Sequence, residues 1–253
     1  MGALFLFLFL KENQCSGCRK WFDPGTGFIY DTSQGLKFHV MIKVQKFVFN
    51  PFQENSFLLY DETGDCILVD MGSYTVEEKK EVLYFIDNNR LNPVKIVNTH
   101  CHVDHLLGNS FFKNKFKAQV AAHAADEFML ASSVEHGSIF GFEVEAPPEI
   151  DEYLEEGKPF FFGSSTLEIL HVPGHSPGST ALYSMKDNFV ISGDVLFSGS
   201  IGRTDLPGGD YDTLIRSIRE KLMVLPADTL VYCGHGPETS IGEESRTNPF
   251  LSS

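Results

Sequence analysis

Positive charge is scarce in this chain: 20 Lys and Arg stand against 34 Asp and Glu, a formal net charge of −14 over 253 residues. That balance repels nucleic-acid backbones and anionic membranes, and no basic patch offsets it. Long apolar runs are missing too. The longest covers residues 3–10, far short of the roughly 20 residues that span a bilayer. No basic residue precedes it and no small-x-small cleavage site follows, so neither a transmembrane helix nor a secretory signal is expected. Cysteine is sparse and odd in number. Cys15, Cys18, Cys66, Cys101 and Cys233 are scattered, which excludes a disulfide framework and predicts a reducing, cytoplasmic setting. Cys15-x-x-Cys18 is half of a zinc knuckle or redox motif; without a second pair it reads as incidental. What remains, 42% hydrophobic and 21% charged residues, is enough apolar material for a sizeable core and excludes wholesale disorder.

Residues 1–40 hold four basic and three acidic residues and show no sustained period of 2 or 3.6, so the acidity belongs to residues 41–253. A strand pattern opens after Met41, over residues 42–49, and is closed by Asn50-Pro51. Residues 1–40 are therefore expected to be an extension outside the functional protein, with 41–253 as the working domain. Deleting them should leave activity and melting temperature nearly intact; a truncated chain that fails to fold would show the segment to be integral. Strands are expected over 56–60, 66–70, 93–98, 118–122, 166–172, 179–183, 189–192 and 229–233. Helices are expected after the capping-box spacing Thr75-Val76-Glu77-Glu78, and over 106–116, 124–131 and 212–222. Residues 132–159, rich in Gly, Pro and acids, read as a long surface excursion, a lid or substrate loop.

Four clusters at strand ends carry chemistry. His100, His102, Asp104 and His105 fall within six residues directly after the 93–98 strand; alternation in an extended segment places 100, 102 and 104 on one side and Cys101 inward. Imidazole and carboxylate in this density suit zinc, iron or manganese. In His171-Val172-Pro173-Gly174-His175-Ser176-Pro177-Gly178 the turn residues around His175 present it out of the sheet, whereas His171 lies in the strand and is read as support. Asp194 in Ser192-Gly193-Asp194 and His235 in Cys233-Gly234-His235-Gly236 complete seven candidate ligands, enough for two metals sharing one carboxylate and one water. Arg203 either contacts a substrate carboxylate or pairs with Asp205, while Phe197 and Tyr211 are read as wall and packing residues.

The string T-H-C-H-V-D-H-x-x-G-N at 99–109, followed by H-V-P-G-H-S-P-G-S, S-G-D-V-L-F and C-G-H-G, resembles the metallo-β-lactamase-fold hydrolases. The stretches 199–210, 234–244 and 248–251 look like its compact glyoxalase-II-like (hydroxyacylglutathione-hydrolase-like) branch, and the resemblance spans about residues 41–253. It implies an α/β fold, an αββα sandwich of two mixed sheets with the metals at one edge. It implies His100, His102 and His175 on one metal, Asp104, His105 and His235 on the other, and Asp194 bridging. The implied cofactors are two divalent ions, zinc first, with iron or manganese as alternatives. The implied reaction is hydrolysis of a small-molecule thioester, such as S-lactoylglutathione or a related 2-hydroxyacyl thioester, by a hydroxide held between the metals, with Asp104 orienting it. The larger glyoxalase II enzymes hold glutathione partly through a C-terminal helical region; this chain stops soon after its last ligand, so contacts to the acyl group are expected to matter more. A lactonase, a β-lactamase or an iron-dependent persulfide dioxygenase are the alternatives within the fold. A non-catalytic metal module is disfavoured by seven ligands where a closed structural site uses four.

Overall fold

A computed structural model describes residues 41–251 and the backbone of two short strands, β1 (Lys20–Asp23) and β2 (Phe28–Asp31), which pair antiparallel. The chain divides into two compact units, residues 1–39 and 40–253. The run at 3–10 and the Cys15/Cys18 pair lie outside the described residues.

In the larger unit the first sheet comprises β3 (Lys43–Phe49), β4 (Glu54–Tyr60), β5 (Asp65–Val69), β6 (Asn92–Val97), β7 (Gln119–Ala122) and β8 (Glu152–Tyr153), in that spatial order. β3, β4 and β5 pair antiparallel, whereas β5 through β8 run parallel. The second sheet contains β9 (Pro159–Phe162), β10 (Ser165–His171), β11 (Thr180–Ser184), β12 (Phe189–Gly193), β15 (Leu230–Cys233) and β16 (Thr239–Ser240), with β12 and β15 parallel. Between them in sequence, β13 (Leu196–Phe197) and β14 (Ser200–Ile201) form a small hairpin.

Strand alternation explains the layering. Phe57, Leu59, Ile67 and Val69 point inward and meet Leu167, Ile169, Leu182 and Ile191 of the other sheet in one buried cluster. Leu58, Leu68 and Ile96 point the other way, onto Val82 and Ile86 of α1 (Val76–Asn89) and Phe112 of α2 (Asn109–Phe116). On the far side Ala181, Val190 and Val231 meet Leu214 of α4 (Tyr211–Ser217), the π-turn Ile218–Leu222 that continues it, and Ile241 of α5 (Ile241–Thr247). The result is helix, sheet, sheet, helix, as expected.

Several boundaries differ from the sequence reading. The helix expected from residue 106 begins at Asn109, because Val103–His105 first makes a 3₁₀ turn. That turn also corrects the alternation argument for Asp104, which a turn delivers to the site, not an extended strand. The larger correction concerns residues 132–159. α3 (Glu127–Ile139) runs eight residues past its expected end, β8 joins the first sheet, and Leu154 is fully buried, which leaves residues 140–151 and 154–158 as the irregular parts. The buried face of α3 is Met129, Ser133 and Gly137, while Phe128, Val134 and Ile139 are exposed. Ser133 and Gly137 on the inside beside Met129, with Phe128, Val134 and Ile139 on the outside, erase the usual amphipathic signal.

Candidate metal centre

All seven predicted side chains converge where the loops after β6, β10, β12 and β15 meet, at one edge of the sandwich. Three groupings bring ligand atoms within 4.8 Å of one another: His100, His102 and His175; Asp104, His105 and His235; and Asp70, His100 and His105. His175 Nε2 lies 2.8 Å from His102 Nδ1 and 3.3 Å from His100 Nε2. Asp104 Oδ2 lies 3.4 Å from His235 Nε2 and 3.7 Å from His105 Nε2. Asp194 sits between the first two groups, 3.6 Å from His105 Nε2, 3.7 Å from His175 Nε2 and 3.4 Å from His235 Nε2.

The rings are aimed from behind. His175 Nδ1 donates to the Arg203 carbonyl (2.8 Å) and His235 Nδ1 to the Phe52 carbonyl (3.1 Å), so each Nε2 faces the centre. His100 Nδ1 meets Thr99 Oγ1 (3.1 Å), which in turn donates to Asp70 Oδ2 (2.6 Å). Asp70 also accepts from Thr99 N and faces His105 Nδ1 at 3.3 Å. It therefore lies behind His105, whose other nitrogen points toward Asp104 and Asp194, and so holds that ring's orientation. Gly234 is required for the same closeness: a Cβ there would collide with Asp194 Oδ1.

Charge divides the centre in two. Burial and the adjoining imidazoles push His100 well below the ordinary histidine value and His102 down to about 3. For His105, burial opposes the charge but Asp104, Asp194 and Asp70 outweigh it, holding its pKa well above the ordinary value. His235 is likewise raised, against burial, to about 10 by hydrogen bonds to Asp104 and Asp194. Asp194 is pulled well below the carboxylate range by His105 and His235 despite its burial. Glu54, fully buried and 3.7 Å from His105 Nδ1, is pushed up by burial.

The donor set fits divalent ions. His105 Nε2 and Asp194 Oδ1 are buried without hydrogen-bond partners, an arrangement costly for polar atoms unless a cation draws on their lone pairs. Asp194 lines a cavity of about 590 Å³ whose wall also includes His102, Asp104, His175 and His235, while His105 lies buried behind it. Its remaining wall is largely apolar, with Phe52, Phe128, Phe140 and Phe197, and also holds His136 and Arg203.

Other expectations resolve individually. His171 stands apart: it stacks on His123 (4.2 Å between ring centroids) and bonds the Pro177 carbonyl at 2.9 Å. Arg203 makes a two-pronged exposed pair with Asp205, both bonds 2.7 Å, while lining the cavity. Cys101 is buried at 1% exposure. Phe197 stands in the wall beside His235, and Tyr211 is exposed at the start of α4. Sequence reasoning missed Asp70, Glu54 and Asp126, each a lone acid whose importance lies in burial. The one available cue was Asp70 itself, a single acid at the end of an apolar strand.

A family model, the metallo-beta-lactamase superfamily, matches residues 49–235. The chain is 40% identical over 212 residues to a probable metallo-hydrolase, YqgX, of Bacillus subtilis, covering 83% of this chain and 98% of that one. It is 37% identical over 209 residues to hydroxyacylglutathione hydrolase GloC of Haemophilus influenzae, covering 80% and 94%. Among solved structures, the BLEG-1 B3 metallo-beta-lactamase aligns with a TM-score of 0.76 at 33% identity, covering 83% of this chain and 100% of that one. TTHA1623 in a di-iron-bound form aligns with 0.75 at 36% identity, covering 82% and 100%. This chain belongs to the metallo-β-lactamase superfamily.

Proposed function

We propose that the chain is a two-metal hydrolase of small-molecule thioesters, with His100, His102 and His175 holding one ion, Asp104, His105 and His235 the other, and Asp194 shared. The observation that carries this reading is the placement of Asp194 within 3.7 Å of His105, His175 and His235, with its buried Oδ1 lacking any other partner. Zinc is the first candidate, and the same nitrogen and oxygen donors suit iron or manganese. Bound, such ions supply Lewis acidity that polarises a carbonyl and acidifies water.

The chain's own residues do the rest. Asp104, open to the cavity and 3.4 Å from His235 Nε2, is placed to orient the attacking water and to accept its proton. The phenylalanine wall excludes bulk water and strengthens every charge interaction inside. A thiolate leaves with a conjugate-acid pKa of about 8.5, so departure needs little help from an acid. The Arg203 pair with Asp205 is exposed on both sides, so Arg203 can exchange that partner for a substrate carboxylate at little cost. Scattered cysteines, with Cys66, Cys101 and Cys233 free and buried, support a cytoplasmic setting; among the described residues no helix is long and apolar enough to cross a membrane.

The test is relative efficiency on the fully loaded protein. kcat/KM for S-lactoylglutathione should exceed that for β-lactams by at least about a hundredfold, roughly 2.7 kcal/mol of transition-state stabilisation. Absence of thioester turnover above free metal, with oxygen consumption on a persulfide after iron loading, would replace the hydrolase by a dioxygenase.

A further inference from the structure

Asp126 is none of the seven side chains, yet it ties the stretch that carries His100 and His102 to the turn that carries His175. It ends the 3₁₀ turn Ala124–Asp126 and is completely buried. Its Oδ2 accepts from Cys101 N at 3.1 Å and from Ser176 Oγ at 2.7 Å, and its Oδ1 accepts from Gly178 N at 2.5 Å. Cys101 stands between His100 and His102; Ser176 directly follows His175. Glycine at 178 is part of the device, since a Cβ there would lie 2.6 Å from Asp126 Cγ.

The second group has its own ties. Asn50 Nδ2 donates to the Asp104 carbonyl and Asn98 Nδ2 to the His105 carbonyl, both at 3.0 Å. Asn55 Nδ2 donates at 2.8 Å to the carbonyls of Cys233 and Gly236, on either side of His235. None of these ties passes through Asp126.

We propose that Asp126 is the positioning residue of the His100, His102 and His175 group alone, so that its loss empties one metal site and leaves the other loaded. The proposal rests on the two-metal reading. The amide of Asp126→Asn keeps the shape but turns one acceptor arm into a donor, facing either Gly178 N–H or Cys101 N–H. Zinc titration followed by calorimetry should then show one ion bound as in the wild type, and the other weakened by about 10- to 100-fold, the usual effect of losing a residue that orients a ligand. The visible absorption of cobalt-loaded protein should lose one set of bands.

Asp61→Asn is the comparison. Asp61 is also buried and accepts from Thr63 N, Thr63 Oγ1, Ser164 N and Ser165 Oγ, but lies at the opposite end of β4 from Glu54. Its variant should melt earlier and still bind two ions. If Asp126→Asn is not recovered folded, Ser176→Ala removes one of the three donors and should weaken the same site a few-fold. Two ions bound at wild-type affinity by the tested variant, or equal loss of both, would overturn the proposal. A wild-type protein that binds a single ion would overturn the two-metal reading and the proposal with it.

Discussion

Asp194→Ala should strip metal and turnover together, lowering kcat/KM by at least about a thousandfold, near 4 kcal/mol of transition-state stabilisation. The expectation follows from position. Among the described residues Asp194 is the one carboxylate within 3.7 Å of ring nitrogens from both histidine groups, His175 on one side and His105 and His235 on the other. Its removal takes negative charge from a centre proposed to hold two cations, and leaves Asp104, at 3.7 Å, as the carboxylate beside the buried His105 Nε2. His171→Ala is the informative contrast, because His171 is four residues from His175 in sequence but bonds the Pro177 carbonyl and stacks on His123. That variant should keep its metals and most of its activity while losing some stability. Elemental analysis of both purified proteins, beside their kcat/KM, decides the matter; equal metal loss in the two would discard the ligand assignment.

The contrast between His171 and His175 shows what was legible in the chain before folding. Proline and glycine around His175 announce a turn that projects a side chain, and four ligand-type residues between 100 and 105 are too dense for ordinary packing. The first sheet's strands were equally readable as short apolar runs closed by turn residues, and the fold buries both faces of them, Phe57 and Leu59 one way and Leu58 the other. Asp70 offered only its place at a strand end and Asp126 not even that, because an acid beside a strand or helix end is the usual mark of a turn or cap. Only burial and the donors gathered around them distinguish these two from surface caps. α3 was hidden for another reason: beside Met129, Ser133 and Gly137 pack inward through smallness, a property that hydrophobic periodicity does not register. Its exposed Phe128 and Ile139, together with Phe140, instead line the cavity, so the same inversion that concealed the helix supplies the apolar wall.

Chelated protein should be most stable near pH 6.5 and lose stability on either side, whereas loaded protein should not share the alkaline loss. His235 is raised to about 10 without metal, so the stability its proton confers is complete below its ordinary value and disappears as pH climbs toward 10. His105, also raised, acts in the same sense. On the acid side His102, lowered to about 3, takes up a proton in the unfolded chain well before it does in the fold, so stability falls as pH drops below the ordinary histidine value. In the proposed assignment metal replaces the protons on His105 and His235, so binding at that group should release protons and tighten with rising pH. The His100, His102 and His175 group is already neutral at its two depressed rings and should bind with weaker pH dependence. At free metal about a thousandfold above Kd, each ion adds about 4.1 kcal/mol, or on the order of 10 °C in a domain of this size. The difference in Tm between loaded and chelated protein should thus exceed about 10 °C at pH 6.5 and widen by pH 9. A difference that stays constant or narrows between those two pH values would mean that His235 and His105 do not hold the protons that metal displaces.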